Sequence, residues 1–255
     1  MSSRQKIATA AGAAFALLAA TLGSAAGAQQ RPAARAAAAT PRVTTMVVGR
    51  GNRVLLAARP AGLPAEHIPV PGAGRCALAS ATPLGALEAA RRAGRLRYTL
   101  QRLTACAPSQ LFVTSIDGER NAGVAGWVYK VDGRSGTAGA GDPSGPFGTG
   151  RRLHSGDSVL WFYCVNALRC QPTLVVRADT QTPAAGAALG VTVLADDDQG
   201  RATPVVGATV VLGSETATSG PGGRAVLSAP SAGSYELQAT ATGDVPAFPV
   251  AVSVA

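Results

Sequence analysis

Large side chains and several reactive ones are scarce in this 255-residue sequence. Aromatic residues make up 4% of the chain, and there are only two tryptophans, two histidines and two methionines. The hydrophobic fraction of 47% owes much to alanine. Because alanine buries little apolar surface, a core that is rich in it is weakly stabilised. We therefore expect the folded parts of the chain to need a second source of stability.

The motifs of several catalytic and metal-binding classes are also missing. The sequence has no Gly-x-Ser-x-Gly elbow, which presents the nucleophile in many hydrolases, and no Cys-x-x-Cys pair of the zinc-binding kind. A serine triad would have to use His67 or His154, and neither lies in a recognisable motif. Gly139, Gly141 and Gly145 lack the strand and helix that frame a dinucleotide-binding loop. We expect no catalytic residues, no metal and no cofactor.

The one long apolar run lies at the N-terminus. Arg4 and Lys6 precede an apolar stretch over residues 7–22, and small residues follow it up to Ala28. This pattern is typical of a cleaved secretory signal, so we predict a signal peptide over residues 1–28, with an uncleaved anchor as the alternative. No later run approaches the roughly 20 apolar residues of a spanning helix. We expect a secreted, extracellular or envelope-associated protein without an integral span after cleavage.

The chain contains four cysteines, an even number behind a secretion signal, which is typical of two disulfides. Four cysteines allow three pairings. Cys164 and Cys170 flank a loop short enough to join two adjacent antiparallel strands, so we favour Cys164–Cys170 together with Cys76–Cys106. A zinc site is the alternative, but the histidines do not flank the cysteines at finger-like spacing.

Charge is unevenly distributed along the chain. Residues 29–178 contain nineteen Lys or Arg against seven Asp or Glu, whereas residues 179–255 contain two against seven. A basic surface can attract nucleic acids or acidic polymers. However, the arginines are scattered, and secretion removes the usual nucleic-acid partner. We therefore expect no nucleic-acid binding, and we expect the partner to be an unknown small molecule or a cell-envelope component.

Residues 43–178 are predicted to form an α+β domain, in which a mixed sheet is crossed by one helix. Thr82 as N-cap and Pro83 at the first helical position begin a helix that runs to Ala93, before Gly94. Short runs of β-branched and aromatic residues, bounded by turn residues, predict the strands "LRYTLQRL", "SQLFVTSI", "GWVYKV", "SVLWFYCV" and "PTLVVRA".

The remaining chain is predicted to be all β. Alternating strands at short intervals indicate a small sandwich over residues 189–255. Residues 29–42, rich in Ala, Pro and Arg, and residues 179–188 are predicted linkers. The three aspartates at 196–198 suit either a calcium-binding loop or a solvated turn.

Two Trp-x-Tyr pairs are the most distinctive feature of the first domain. Residues i and i+2 of a strand share one face, so Trp127 lies beside Tyr129 and Trp161 beside Tyr163. On neighbouring strands the four rings would form one cluster. The cluster is either the core under the helix or a partly exposed ligand-binding surface.

The segments "GWVYKVDGR" and "RLHSGDSVLWFY" resemble the transcobalamin-like C-terminal domain family of secreted bacterial proteins. The resemblance covers roughly residues 43–178 and implies a β-grasp-like fold. It makes a corrinoid conceivable as a ligand, although the large helical domain that completes the transcobalamin site is absent. Residues 189–255 are similar to immunoglobulin-like or carboxypeptidase-regulatory-like modules of surface proteins.

Two functions remain open at this point. The first is a secreted, non-catalytic binding protein, with Trp127, Tyr129, Trp161 and Tyr163 as candidate ligand contacts. The alternative is a structural or adhesive protein of the cell envelope, in which the same rings are wholly core and no small molecule binds. The exposure of the rings is the property that separates the two.

Overall fold

The computed structural model describes residues 39–103 and 106–255, which are mostly β. The predicted signal peptide lies outside the described residues, as does the predicted linker up to residue 38. One helix, α1, spans Pro83–Arg92. Short 3-10 turns occupy Arg50–Asn52, Pro108–Gln110 and Pro221–Gly223. No helix among the described residues is long and apolar enough to cross a membrane.

Ten strands precede residue 165, and we call this region the N-terminal part. They are β1 (Arg42–Val48), β2 (Val54–Gly62), β3 (Glu66–Val70), β4 (Gly74–Leu78), β5 (Tyr98–Arg102), β6 (Leu111–Ile116), β7 (Glu119–Arg120), β8 (Gly126–Val131), β9 (Arg134–Ser135) and β10 (Ser158–Cys164). They form three separate sheets: β2-β1-β10-β8-β9, the hairpin β3-β4, and β5-β6-β7. Strands β1 and β10 are parallel, and the other pairs are antiparallel.

Strand β10 is the centre of the largest sheet and is buried on both faces. Val159, Trp161 and Tyr163 belong to the core that contains α1, whereas Leu160 and Phe162 belong to a second cluster on the opposite face. A strand that is covered on both sides can be apolar at every position. This accounts for the uninterrupted run "VLWFYC" in the sequence.

Helix α1 has the limits that its sequence predicts. The Thr82 hydroxyl accepts a hydrogen bond from the Gly85 N–H at 3.2 Å, and Pro83 occupies the first turn. Ala93 is the C-cap, and Gly94 follows with a φ of 65°, a left-handed conformation that glycine adopts without strain. The buried side of the helix packs into the core under the central sheet.

Eight strands follow residue 172, and we call this region the C-terminal part. They are β11 (Thr173–Ala178), β12 (Ala188–Asp196), β13 (Ala202–Pro204), β14 (Thr209–Leu212), β15 (Glu215–Thr218), β16 (Arg224–Ser228), β17 (Gly233–Thr240) and β18 (Val250–Val254). One sheet has the order β11-β12-β13, with β16 also paired to β12, and the other has the order β15-β14-β17-β18. Valine, leucine and alanine from both sheets form one core, as in a β-sandwich.

The predicted α+β, β-grasp-like fold class is wrong. The described residues contain eighteen strands in five sheets and one ten-residue α-helix, which is an all-β, sandwich-like architecture. Two of the strands assigned to a single mixed sheet, β5 and β6, pair with each other instead and form a sheet of their own with β7. Strand β11 pairs with β12 of the C-terminal part. The predicted domain boundaries stay predictions.

The two parts pack against each other within the compact unit Ala39–Ala255. Met46, Val48 and Phe162, on the face of the central sheet opposite α1, form a buried cluster with Val245 from the C-terminal part. Asn52 adds a hydrogen bond across the junction, because its Nδ2 donates to the Asp244 carbonyl at 2.6 Å. The segment between the parts therefore does not separate two independent cores.

Candidate functional site

The four aromatic residues singled out in the sequence come together, because β8 and β10 are neighbouring strands. In the antiparallel β8–β10 pair, Tyr129 lies opposite Trp161 and Trp127 lies opposite Tyr163. The Trp127 and Tyr163 rings meet edge to face, with centroids 5.6 Å apart and planes at 89°. The Tyr129 and Trp161 centroids are 5.4 Å apart. Aromatic pairs with this geometry add to sheet stability beyond the area that they bury.

All four rings are buried, with between 2% and 7% of each residue exposed. Their polar tips have partners inside the fold. Trp161 Nε1 donates to the Pro83 carbonyl at 3.1 Å and Trp127 Nε1 to the Glu119 carbonyl at 2.7 Å. The Tyr129 hydroxyl, which has one proton to donate, lies within hydrogen-bond distance of two carbonyls of the glycine-rich loop over residues 133–150, those of Ala138 at 2.7 Å and Pro146 at 3.0 Å. The cluster is core, with its donors already used.

The surroundings of Tyr129 and Tyr163 fit this role. Burial raises the pKa of Tyr129, and Asp142 adds to the shift, so its hydroxyl stays protonated and acts as a donor to the loop. The Tyr163 hydroxyl donates to the Arg120 carbonyl at 3.1 Å and accepts from the Arg50 guanidinium at 2.8 Å. That guanidinium lies 4.4 Å from the Tyr163 ring centroid. These contacts hold the rings in place.

A cleft with a volume of about 470 Å³ opens beside the edge of β8 and reaches three of the four rings. We call it the edge cleft. Trp127, Tyr129 and Trp161 lie in its lining. The remaining lining comes from β6, the glycine-rich loop and the loop closed by the Cys164–Cys170 disulfide: Leu103, Ser109, Leu111, Phe112, Val113, Val128, Ser135, Gly136, Ala138, Gly139, Ala140, Ala167, Cys170 and Asp198.

The ends of the edge cleft are defined by close contacts. At one end the Asn121 side chain links β6 to β8, because its Nδ2 donates to the Val113 carbonyl at 3.0 Å and its Oδ1 accepts from the Trp127 N–H at 2.9 Å. At the other end a Cβ on Gly139 would lie 2.4 Å from the Ser109 carbonyl oxygen. Glycine is therefore required where the loop approaches β6.

Exposed apolar side chains lie in the lining of the edge cleft and near it. Of the eight large hydrophobic residues that are exposed in the described chain, two belong to the lining and three lie in or against the disulfide loop that borders it, with 47% to 88% of each of these five exposed. The disulfide loop that supplies two of them is attached to a third, because the Ala167 N–H donates to the Val124 carbonyl. We call these five residues the apolar rim: Leu103, Phe112, Val124, Val165 and Leu168.

The sequence did not lead us to predict the apolar rim or Asn121 as site residues, although it contains one indication of an outward-facing rim residue. In "SQLFVTSI" the buried positions are Leu111 and Val113, so strand alternation directs Phe112 outward. An outward phenylalanine on a strand is a candidate contact residue. Nothing local identifies Asn121, because its two partners lie on strands that come together only in the fold.

The two predicted disulfides are confirmed. Cys76 is bonded to Cys106 and Cys164 to Cys170, with Cα atoms 5.3 and 5.1 Å apart. The first bond ties β4 to the segment after β5. The second closes the loop after β10, which borders the edge cleft. None of the described cysteines is free.

A second cleft, of about 450 Å³, lies between the two parts and contains Lys130. Lys130 is 1% exposed, and its ammonium donates to Thr173 Oγ1 at 3.2 Å and to the carbonyls of Asp196 and Asp197 at 3.0 and 2.9 Å. Burial lowers the pKa of Lys130, while the neighbouring carboxylates, that of Asp198 first, counteract this. All three of its donors have acceptors, so Lys130 fastens one part to the other.

The remaining polar candidates have structural surroundings. His154 is exposed, and its Nδ1 lies 3.9 Å from Asp157. His67 is exposed on β3. Asp197 pairs with Arg201 at 3.0 Å, and Asp198 accepts from Ser135 at 2.9 Å. Within the two described ranges, no group of three His, Cys, Asp or Glu side chains is placed to hold a metal ion.

Comparison with known proteins gives limited matches. Residues 85–165, which are 81 of the 255, match a family described as a domain of unknown function (DUF4430). Among solved structures, the chain is similar to FdeC, an Escherichia coli adhesin described as eliciting protection against urinary tract infections, at 17% identity over 57% of this chain. The matched region spans 58% of the adhesin chain, and the TM-score is 0.27, too low to support an argument about function. No curated protein matches the chain.

Proposed function

We propose that this chain is an exported, non-catalytic protein of the cell envelope that has a structural or adhesive role and binds its partner through surface contacts. The observation that carries the proposal is the burial of the four aromatic rings. The ring faces are buried and their polar atoms form hydrogen bonds within the protein, whereas the side chains of the apolar rim are exposed to solvent. Clustered apolar residues on a protein surface mark interaction sites.

The compartment is part of the proposal and is supported by the disulfides. Bonds between Cys76 and Cys106 and between Cys164 and Cys170 persist in oxidising environments such as the periplasm or the cell exterior. A core with many alanines gains stability from such crosslinks. Secretion and attachment to the envelope are consistent with both features.

The absence of catalysis is likewise a proposal, and it is supported by the placement of the histidines. His154 and His67 are both exposed, and among the described residues neither has a serine or cysteine side chain as a hydrogen-bond partner. A general base needs its nucleophile within hydrogen-bond reach. Lys130, the most deeply buried cation, is already bonded to three acceptors.

A small-molecule ligand, including the corrinoid implied by the resemblance, has less support. Stacking would need the faces of Trp127, Tyr129, Trp161 and Tyr163 to be open, and they are buried. The polar groups of these rings bond to the backbone of the protein itself. The rim, by contrast, offers a broad contact of the kind that a macromolecule covers.

Binding to the cell surface tests the proposal. We expect labelled chain to bind saturably to intact cells of the source species. A double variant of the rim, Phe112→Ser with Leu168→Ser, should bind about tenfold more weakly, because the contact loses the apolar area that these two exposed side chains would bury. The matched control is Val206→Ser with Val226→Ser, two exposed valines of the C-terminal part, 68% and 63% exposed, which should bind like the wild type.

Two outcomes would contradict the proposal. One is the lack of saturable binding to cells by folded, disulfide-bonded protein. The other is a rim variant that binds as well as the control variant, which would place the contact elsewhere. Circular dichroism of both variants should match the wild type, because all four side chains are exposed.

A further inference from the structure

Two strand edges face the edge cleft. Strand β6 pairs with β5 on one side, and its other side pairs with β7 only at Ser115 and Ile116. Strand β8 pairs with β10 on one side, and its other side pairs with β9 only at Lys130 and Val131. The first halves of β6 and β8 therefore have one unpaired edge each, and both edges line the same cleft.

The register of the two strands shows which backbone groups point into the cleft. Residues of an antiparallel strand alternate between groups directed to the partner and groups directed away. The Trp127 N–H bonds to Asn121, and the Tyr129 carbonyl accepts from Gly136, so both residues are directed away from β10. Val113 is directed away from β5, because its carbonyl accepts from Asn121. Leu111, two residues earlier, shares this direction.

Four of these backbone groups have no hydrogen-bond partner among the described residues: the carbonyls of Leu111 and Trp127, and the N–H groups of Val113 and Tyr129. The four residues are between 3% and 7% exposed. Buried backbone groups are almost always paired. Two donors and two acceptors on facing edges are therefore placed to pair with an occupant of the cleft that can donate and accept on both sides.

Asn121 shows what kind of occupant fits. Its side-chain amide donates to β6 and accepts from β8, as the peptide group of an intervening strand would. Its own N–H also donates to the Thr114 carbonyl of β6. Beyond Asn121 the same gap continues along β6 from Val113 to Leu111, about 7 Å of strand, and then reaches Ser109 in the 3-10 turn. The opening accepts a short stretch of extended peptide.

We propose that the edge cleft binds an extended peptide segment of a partner protein as an added strand between β6 and β8. The proposal rests on the proposed function and specifies the partner. Strand addition derives its affinity from main-chain hydrogen bonds and its specificity from alternate side chains. Alternate residues of the peptide would contact the apolar rim, so the segment is apolar at its centre.

The charged residues beside the cleft indicate which residue types should lie at the two ends of the peptide. Arg102 precedes the lining residue Leu103, and Arg169 precedes the lining residue Cys170. Both arginines are exposed, and neither forms an ion pair with a described carboxylate. The carboxylate at the cleft, that of Asp198, accepts from Ser135. Acidic residues should therefore flank the apolar centre of the partner segment.

A displayed library of random eight-residue peptides provides the first test. The library is selected on the disulfide-bonded chain and depleted on the variant Ala167→Trp, in which a large side chain on the exposed loop fills the cleft mouth. The control is Ala184→Trp, the same change at an exposed alanine of the C-terminal part, outside the lining. We expect enriched peptides with an apolar centre and Asp or Glu at the ends, which bind Ala184→Trp but not Ala167→Trp.

The second test separates strand pairing from side-chain contact. An enriched peptide is resynthesised with one central backbone amide N-methylated, and affinity is measured by calorimetry. We expect binding to weaken about tenfold, the effect of losing roughly one hydrogen bond. The unmodified peptide should also slow hydrogen exchange of the Val113 and Tyr129 amides, which face the cleft.

Three results would overturn the proposal: no enrichment of peptides over the Ala167→Trp variant, equal affinity after N-methylation, or unchanged exchange at Val113 and Tyr129. The test is separate from that of the proposed function. If cells are not bound but alternating peptides are selected, the envelope role fails and strand addition stands. If cells are bound and Ala167→Trp has no effect on peptide selection, the reverse holds.

Discussion

Threonine has opposite effects at two buried positions of the N-terminal part. The Thr45 hydroxyl is buried on β1 without a hydrogen-bond partner among the described residues. The Thr82 hydroxyl caps α1, where it accepts from the Gly85 N–H. An unpaired buried hydroxyl costs stability, whereas a cap adds it. The same substitution should therefore change stability in opposite directions at the two sites.

We predict that Thr45→Val raises the free energy of unfolding by about 1 kcal/mol, because valine has the same shape without the unpaired group. Thr82→Val, its matched control, should lower the free energy by about 1 kcal/mol through loss of the cap. Urea unfolding of the three proteins measures both changes. A loss of stability in Thr45→Val would mean that its hydroxyl has a partner after all.

Glu88 links α1 to β5. Its carboxylate, 1% exposed, accepts from Arg91 at 2.6 and 2.7 Å and from the Tyr98 hydroxyl at 2.7 Å. Burial alone would raise the pKa of Glu88, but the hydrogen bonds from Arg91 and Tyr98 outweigh it, so its pKa lies below the ordinary value. A carboxylate with a depressed pKa stabilises the fold above its unfolded pKa, and this contribution is lost as the pH falls through the folded pKa.

We predict that Glu88→Gln lowers the free energy of unfolding at pH 7 by about 1 to 2 kcal/mol, because charged hydrogen bonds are lost. The difference from wild type should shrink as the pH falls through the lowered pKa of Glu88, where its carboxylate becomes protonated. Urea unfolding at pH 7 and pH 3 measures it. A difference that is equal at both values would show that Glu88 contributes through packing alone.

The two disulfides close loops of different length, so their removal should have unequal effects. Cys76 and Cys106 are 30 residues apart, and Cys164 and Cys170 are six apart. From chain entropy we predict that the pair Cys76→Ala and Cys106→Ala costs about 3 to 4 kcal/mol, against about 2 for Cys164→Ala with Cys170→Ala. Thermal unfolding of both double variants tests the order. Reversal of that order would show that chain entropy does not dominate.

At the scale of helices and strands, the sequence predicted where each element lies better than which elements pair. The helix limits followed from Thr82, Pro83 and Gly94, because caps are local chemistry. The placement of Trp127 with Tyr129 on one face followed from period-two alternation, whereas the pairing of Trp127 with Tyr163 depends on the β8–β10 register, which the sequence did not predict. The fold class failed because the partner of a strand is set by distant chain: β5 and β6 pair with each other, and nothing in either run excludes the larger sheet.

The candidate site could be predicted only in part for the same reason. The four rings were found, but their burial depends on α1 and on the glycine-rich loop, which cover them from elsewhere in the chain. Asn121 and the apolar rim depend on the gap between β6 and β8. Such gaps arise from the arrangement of sheets and leave no periodic pattern in the sequence.

At the scale of the whole molecule, the cooperativity of unfolding depends on the junction between the two parts. Lys130 holds the junction from one side through Thr173, Asp196 and Asp197, and an apolar cluster around Phe162 fills it. A buried ammonium with all donors paired is costly to replace, because three acceptors lose their partner at once. The two parts should therefore unfold together as long as Lys130 is present.

We predict that Lys130→Met destabilises the chain by about 2 kcal/mol and splits one calorimetric transition into two. Methionine keeps the length of the side chain and removes its donors. The control is Arg177→Met, an exposed residue of the same cleft, which should keep a single transition. A single, unshifted transition in Lys130→Met would show that the apolar cluster suffices to couple the parts.

The position of the indole rings has a practical consequence for spectroscopy. Both tryptophans of the chain, Trp127 and Trp161, belong to the core that contains α1, and the C-terminal part has neither. Tryptophan emission thus reports on one part of the protein. In the Lys130→Met variant, where we expect the parts to unfold separately, a tryptophan melt would follow the loss of the aromatic core and give no signal when the sandwich opens, so one further optical label in the C-terminal part is needed to observe the entire chain.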